Sequence, residues 1–297
     1  MIMTLSVFKI SLCLLLLICP QPSFEEQVRT WRMQRDKELR SENGWLTVAG
    51  LFWLKEGSNS FGTGKEMDIV LTGSAPRNIG TLELANGVVT LKVAEGVKVT
   101  DIGGEPIKNS EMRLDSDDTP APFRVGSLTL SVIKRGERYG LRVKDKNSKA
   151  LREFKGLEWF KADKSYRVNA TFTPYDQPKE IMIANVLGDQ LKMKSPGVLT
   201  FTLNGATHQL LPVTEEGDKL FIIFRDQTAG KTSYGAGRFL YADPPQRGEV
   251  ILDFNRAENP PCAFTPYATC PLPPRANFLP MPIPAGERAF HLKTNKR

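Results

Sequence analysis

Asp253, Asn255, Arg256 and Asn259 place four hydrogen-bonding side chains within seven residues, at the end of the strand-like run Val250-Ile-Leu-Asp253. In an extended segment Asp253 and Asn255 share a face, and Arg256 points the other way unless the chain turns. Arg256, with Arg238 nearby in sequence, offers the planar fork that grips a carboxylate or phosphate through two hydrogen bonds. Tyr234-Gly-Ala-Gly-Arg238 is too short for a dinucleotide loop, which needs a strand before it and a helix after it. Its glycines read instead as tight backbone approach beside Tyr234 and Arg238. Tyr234, Arg238, Asp253, Asn255, Arg256 and Asn259 therefore form the candidate ligand set. The competing reading pairs Asp253 with Arg256 and uses the Asn side chains to cap an irregular turn.

Cys262 and Cys270 are the two cysteines of the body of the chain. In an oxidising compartment they are expected to form a disulfide closing a short loop, with two packed thiols as the alternative. A metal site is not expected, because zinc needs three or four ligands and only His208 and His291 accompany these thiols. A Cys nucleophile would need His208 as its base, and one His in a strand-like run is a weak signal. No Gly-x-Ser-x-Gly elbow is present. A hydrolase would have to draw on carboxylates, of which Asp226 and Asp253 are the pair to inspect. No cofactor is expected.

These residues need a scaffold. The 297-residue chain, 40% hydrophobic and 25% charged, suffices for one large or two modest globular domains. Ile10 to Cys19 is a ten-residue apolar run after Lys9, with no acid before Glu25. It has the length of a signal-peptide core and is too short to span a bilayer alone. Export to a periplasmic or secreted location is the expectation. A lipid on Cys19 is not favoured, because Ile18 sits where a small residue belongs.

Residues 1–23 read as the leader and 24–44 as a helix. Ser23 and Glu26 make a capping box, Phe24, Val28 and Trp31 share one face, and Asn43-Gly44 ends it. Short strand-like runs follow, with Asn86-Gly87 and Asn204-Gly205 as hairpin turns. A dozen or so strands with little helix imply a mainly β fold of one or two sandwich or barrel units. Their expected spans are 45–150 and 151–259. Nine of the 21 prolines fall within residues 260–284, so 260–297 is expected to wrap the body as an extended strap.

Charge is uneven. The formal net charge is +7, while residues 134–167 alone hold twelve Lys or Arg against five Asp or Glu. Such a block suits a solvated face or contact with an acidic envelope surface. No nucleic-acid-binding motif is present.

Two resemblances follow. Asn59-Ser-Phe-Gly-Thr-Gly-Lys65, Asp68-Ile-Val-Leu71 and Asp101-Ile-Gly-Gly-Glu-Pro-Ile107 are similar to a forkhead-associated β-sandwich. Thr63 stands where that family has Arg, and the next loop has neither its Ser nor its His, so the resemblance implies no phosphopeptide binding. The second spans nearly all of the chain after the leader. Glu42 to Leu54, Tyr234 to Tyr241, Asp253 to Cys262 and Cys270-Pro-Leu-Pro-Pro274 with Ala285-Gly-Glu287 resemble domain-of-unknown-function family 1684. That family implies one shared architecture and no established activity. The leading functional expectation is a small anionic or glycan ligand bound at residues 238–259. The alternatives are a hydrolase using Asp226 or Asp253 and an envelope protein docking through residues 134–167.

Overall fold

A computed structural model describes residues 22–214 and 219–290. Most of the expected leader, with Cys13 and Cys19, lies outside the described residues, as do residues 215–218 and His291. The fold is mainly β, with a helix at the front and several sheets, one of them curled into a half-barrel.

Helix α1 spans Phe24–Arg40. The capping box forms as expected: Ser23 Oγ accepts from the Glu26 amide, and the Glu26 carboxylate accepts from the Ser23 amide. Glu25 and Glu26 suit the positive end, and Lys37 and Arg40 the negative end. The helix stops earlier than the expected residue 44. Ser41 turns extended, and its amide and hydroxyl both return to the Glu38 carbonyl. Val28, Arg35 and Leu39 form the buried face. Trp31 docks the helix by meeting Trp159 edge-on at 5.5 Å.

Two five-stranded sheets make a sandwich. One runs in the spatial order Val48–Trp53, Arg138–Asp145, Leu128–Arg135, Phe123–Val125, Thr100–Asp101. The other runs Ile69–Val70, Gly57–Gly62, Gly80–Ala85, Val88–Val93, Asn109–Glu111. Their inward residues share one core, in which Leu82 and Leu91 of one sheet meet Leu130 and Leu141 of the other. Alternation of buried and exposed positions, as in Gly80–Ala85, is what a sheet packed on one side requires.

The third sheet has seven strands and its own core. A long hairpin, Arg167–Ala184 against Gln190–Leu203, forms its spine. The sequence suggests two separate runs here, Tyr166 to Thr173 and Glu180 to Ile183. The structure joins them through an irregularity between Pro174 and Lys179. Pro174 and Pro178 have no amide to give the ladder, so the pairing breaks there and resumes. Asn86-Gly87 and Asn204-Gly205 turn as expected, all four residues at positive φ.

Past Asn259 the chain crosses the body as a strap, making single bridges Asn185 to Pro271, Arg225 to Phe278 and Trp159 to Glu287. Phe264, Ile283 and Ala285 are buried along it. It is not uniformly extended: tight turns occupy Pro261–Ala263 and Arg275–Asn277. No described helix is long and apolar enough to cross a membrane.

Candidate functional site

The structure gives most of the sequence-derived ligand set internal partners. Arg238 is 1% exposed. It donates to Asp226 Oδ2 at 2.7 Å and to the carbonyls of Ile283 and Ala285. Asp226 Oδ1 accepts from Thr228 and from the Ile283 amide. Both oxygens of Asp226 are thus engaged in holding the strap to the sheet. Burial lowers the proton affinity of Arg238, and Asp226 opposes that effect. The buried pair is the physical reason Arg238 is not available to a ligand.

Asn255 and Asn259 are fully buried. Asn255 exchanges hydrogen bonds with the Asp163 backbone, and Asn259 donates to the Arg288 carbonyl. Both secure irregular backbone, as the competing sequence reading proposed. The expected tight approach is present at Gly237: its φ is +110°, and a Cβ there would lie 2.7 Å from the Phe224 carbonyl oxygen.

Asp253 has a different setting. Oδ1 caps the turn Phe254–Arg256 through Asn255. Oδ2 lies 3.4 Å from Arg167 and 3.5 Å from Arg256. Its charge also acts on Arg32 of α1, which packs on that same turn. One carboxylate therefore faces three guanidinium groups. Both oxygens of Asp253, like those of Asp226, thus have partners within the fold.

Arg32 opens onto a groove of about 850 Å³. Val28 and Ser41 contribute to its wall. Glu25, Arg29, Arg32, Asp36 and Arg40 follow one another at intervals of three and four, so the helix turn alone aligns them. Met33 and Lys37 add a second row, and Trp159 and Ala162 close the far side. Four cations thus meet two carboxylates, one of which, Asp36, is paired with Arg40 at 2.7 Å. The Arg32 guanidinium lies 4.8 Å from the centre of the Trp159 ring and donates to the Phe160 carbonyl. Its Nε is buried without a hydrogen bond. Burial lowers its proton affinity, with Asp253 opposing. Sequence reasoning missed this groove. The spacing of 25, 29, 32, 36 and 40 was readable, but Trp159 lies far away in sequence.

One turn on from Arg32, α1 carries a buried charge network. Arg35 lies 2.9 Å from Glu287 and 3.2 Å from Glu258, and it donates to the Asn259 carbonyl. Burial pushes the Glu258 carboxyl up to about 7, against the attraction of Arg35.

Cys262 and Cys270 are free thiols, so the expected disulfide is not formed. The pairing itself is present. The Cys262 amide donates to Cys270 Sγ at 3.1 Å. They pack with Phe221, Ile223 and Trp45. Tyr234, the remaining member of the ligand set, is close enough for burial and the two thiols to raise its proton affinity. His208 stands elsewhere, its ring 5.7 Å from that of Phe201, which fits the reading of it as a packed strand residue. No group of three or more metal-ligating side chains occurs among the described residues.

About half of the basic block is engaged in ion pairs. Arg135 and Arg142 meet Asp115, Arg138 meets Asp189, Lys149 meets Glu153 and Arg167 meets Asp253. Lys146, Lys155, Lys161 and Lys164 are exposed.

Residues 152–288 match a family described as protein of unknown function (DUF1684). The chain belongs to this family. The match takes in the third sheet and most of the strap, so the resemblance quoted over Glu42 to Leu54 lies outside it. An uncharacterised Haloarcula marismortui protein solved by NMR in solution is 36% identical. The match covers 46% of this chain and 78% of that one, with a TM-score of 0.40. No curated protein matches. The forkhead-associated likeness of residues 59–107 has no counterpart in these findings. In DUF1684 terms, Arg167, Asp253 and Arg256, both cysteines and Trp159 lie within the matched span, whereas α1 lies before it.

Proposed function

We propose that this DUF1684 member is an exported binding protein for a small anion, taken in the groove between α1 and Trp159. The observation that carries the reading is Arg32: a cation held over an aromatic ring at the wall of a groove of about 850 Å³, with Nε buried and unbonded. The guanidinium as a whole is only half-buried, so an anion in the groove can accept a charge-assisted hydrogen bond from it. Arg167 and Arg256 share Asp253 with Arg32 and add positive potential behind it. Trp159 and Met33 offer apolar contact to the uncharged part of the ligand, as small-molecule sites typically do. The apolar run at residues 10–19 supports export.

Calorimetric titration of the full chain with citrate, inorganic phosphate, benzoate and a neutral disaccharide tests the reading. At least one anion is expected to bind, more weakly as salt is added. Arg32→Gln is expected to weaken that binding about tenfold, or about 1.4 kcal/mol. If no anion binds, or Arg32→Gln binds like the parent chain, the reading is wrong. Binding of the disaccharide alone would transfer the site to a glycan.

A further inference from the structure

We propose that Cys262 and Cys270 form a redox-active dithiol that exchanges with low-molecular-weight disulfides. The first ground is geometric. The Cys262 amide points at Cys270 Sγ from 3.1 Å, and both side chains pack in one apolar cluster. Seven residues separate them in sequence, yet the packing that holds them together does not depend on a covalent link. Phe264 is fully buried, Thr265 Oγ1 donates to the Val48 carbonyl at 3.1 Å, and Arg135 donates to Thr269 Oγ1. The Val186 amide donates to the Cys270 carbonyl. Two thiols prepositioned in this way react with each other as an intramolecular pair, at high effective concentration.

The second ground is the asymmetry of the pair. Cys262 is half-buried and reachable, whereas Cys270 is buried. Contact with Cys270 favours ionisation of Cys262, and the same contact together with burial keeps Cys270 protonated. The attacking sulfur is therefore Cys262, and Cys270 is the resolving one.

The third ground is Arg142. It is nine-tenths buried, with Nε and Nη2 lacking hydrogen bonds. Its guanidinium lies 5.6 Å from the centre of the Trp45 ring. It acts as the positive charge that eases ionisation of Cys270. Its only acidic contact is a 3.5 Å approach to Asp115, which Arg135 holds at 2.6 Å. A developing thiolate at position 270 has this cation at hand.

The exchange balances in two steps. The Cys262 thiolate, its proton lost to water, attacks one sulfur of a disulfide R–S–S–R. A Cys262–S–S–R bond forms and the first R–S⁻ leaves, taking up a proton. Cys270 then gives its proton to water and attacks Cys262 Sγ. The Cys262–Cys270 bond forms and the second R–S⁻ departs as the thiol. Two electrons pass from the protein dithiol to the small disulfide, and two molecules of R–SH result. The reverse sequence reduces the protein.

The test uses the full chain equilibrated in glutathione buffers from fully reduced to fully oxidised, followed by alkylation and peptide mass mapping. A Cys262–Cys270 bond is expected to form and to be reduced again with the circular dichroism spectrum unchanged. With oxidised glutathione, Cys270→Ser is expected to accumulate a mixed disulfide at Cys262. Cys262→Ser is expected to react at Cys270 about tenfold more slowly or less. If the thiols stay free at the oxidising extreme, or the bond yields only after unfolding, the proposal is overturned. Equal reaction of the two variants, both folded by circular dichroism, overturns the assigned order of attack.

Discussion

Arg32 and Arg238 both lie against an aromatic ring, 4.8 Å from the centre of Trp159 and 5.2 Å from that of Phe224, yet their surroundings differ. Arg238 is closed off from water, with Asp226 and two carbonyls aimed at it from the strap. Nε is buried without a hydrogen bond in both, but Arg32 borders open space. A guanidinium enclosed on every side by the fold is scaffold, and one that borders a groove is available to a ligand. The difference follows from where each side chain stands. Arg238 begins a strand covered on its inner side by the strap, whereas Arg32 stands between Val28 and Arg35 at the edge of the buried stripe of α1, where the groove opens.

The sharpest way to break this comparison is to remove the acid from the closed region. Asp226→Ala leaves Arg238 charged and buried without its partner, and is expected to cost about 3–5 kcal/mol in urea unfolding. A loss below 1 kcal/mol would mean that the pair is not the anchor described here. Arg32→Gln, in contrast, is expected to leave stability within about 0.5 kcal/mol while weakening anion binding.

The Arg35 network lies between these extremes and responds to pH. Glu258 faces Arg35 and Glu38 of α1 and Glu287 of the strap, and burial raises it to about 7. The folded state therefore holds a proton that the unfolded chain releases near the ordinary carboxylate value. Stability from this group is fully present below that value and is lost as pH rises through about 7. Between pH 5 and pH 8 the loss is expected to be on the order of 2–3 kcal/mol. Urea midpoints of the parent chain and of Glu258→Gln at the two pH values check it. The parent should lose more than the variant, and equal losses would place the titration elsewhere.

The smallest effect sharpens the open region. Ser23→Ala removes the cap on α1 and is expected to cost about 1 kcal/mol. Because the groove residues share that helix, anion affinity should fall slightly at high temperature, where the first turn frays. A thermal scan with and without citrate measures both.

Local chemistry was readable from the sequence. The capping box at Ser23 and Glu26 and the turns at Asn86-Gly87 and Asn204-Gly205 form from neighbouring residues, so the signal lies within a few positions. The strap was legible from its prolines. The candidate site was only half legible. A dense polar run at 253–259 looks the same in sequence whether it meets a ligand or secures backbone. What decides between them are Asp163, Asp226 and Glu287, contributed by distant segments. Trp159 could not be assigned to the face of α1 by any spacing rule, because only the tertiary fold brings them together. The proline break in the long hairpin disguised one strand as two for a similar reason, since pairing across Pro174 to Lys179 is set by the partner strand.

The bond from Arg35 to Glu287 joins residues 252 positions apart. During synthesis α1 is among the first described elements to emerge, and the carboxylate that neutralises its buried arginine is among the last. Until then, seating the helix would bury a cation without its partner, which is strongly unfavourable. The helix thus behaves as a clasp that shuts only when nearly the whole chain is available. Closure therefore waits until Glu287 has been made.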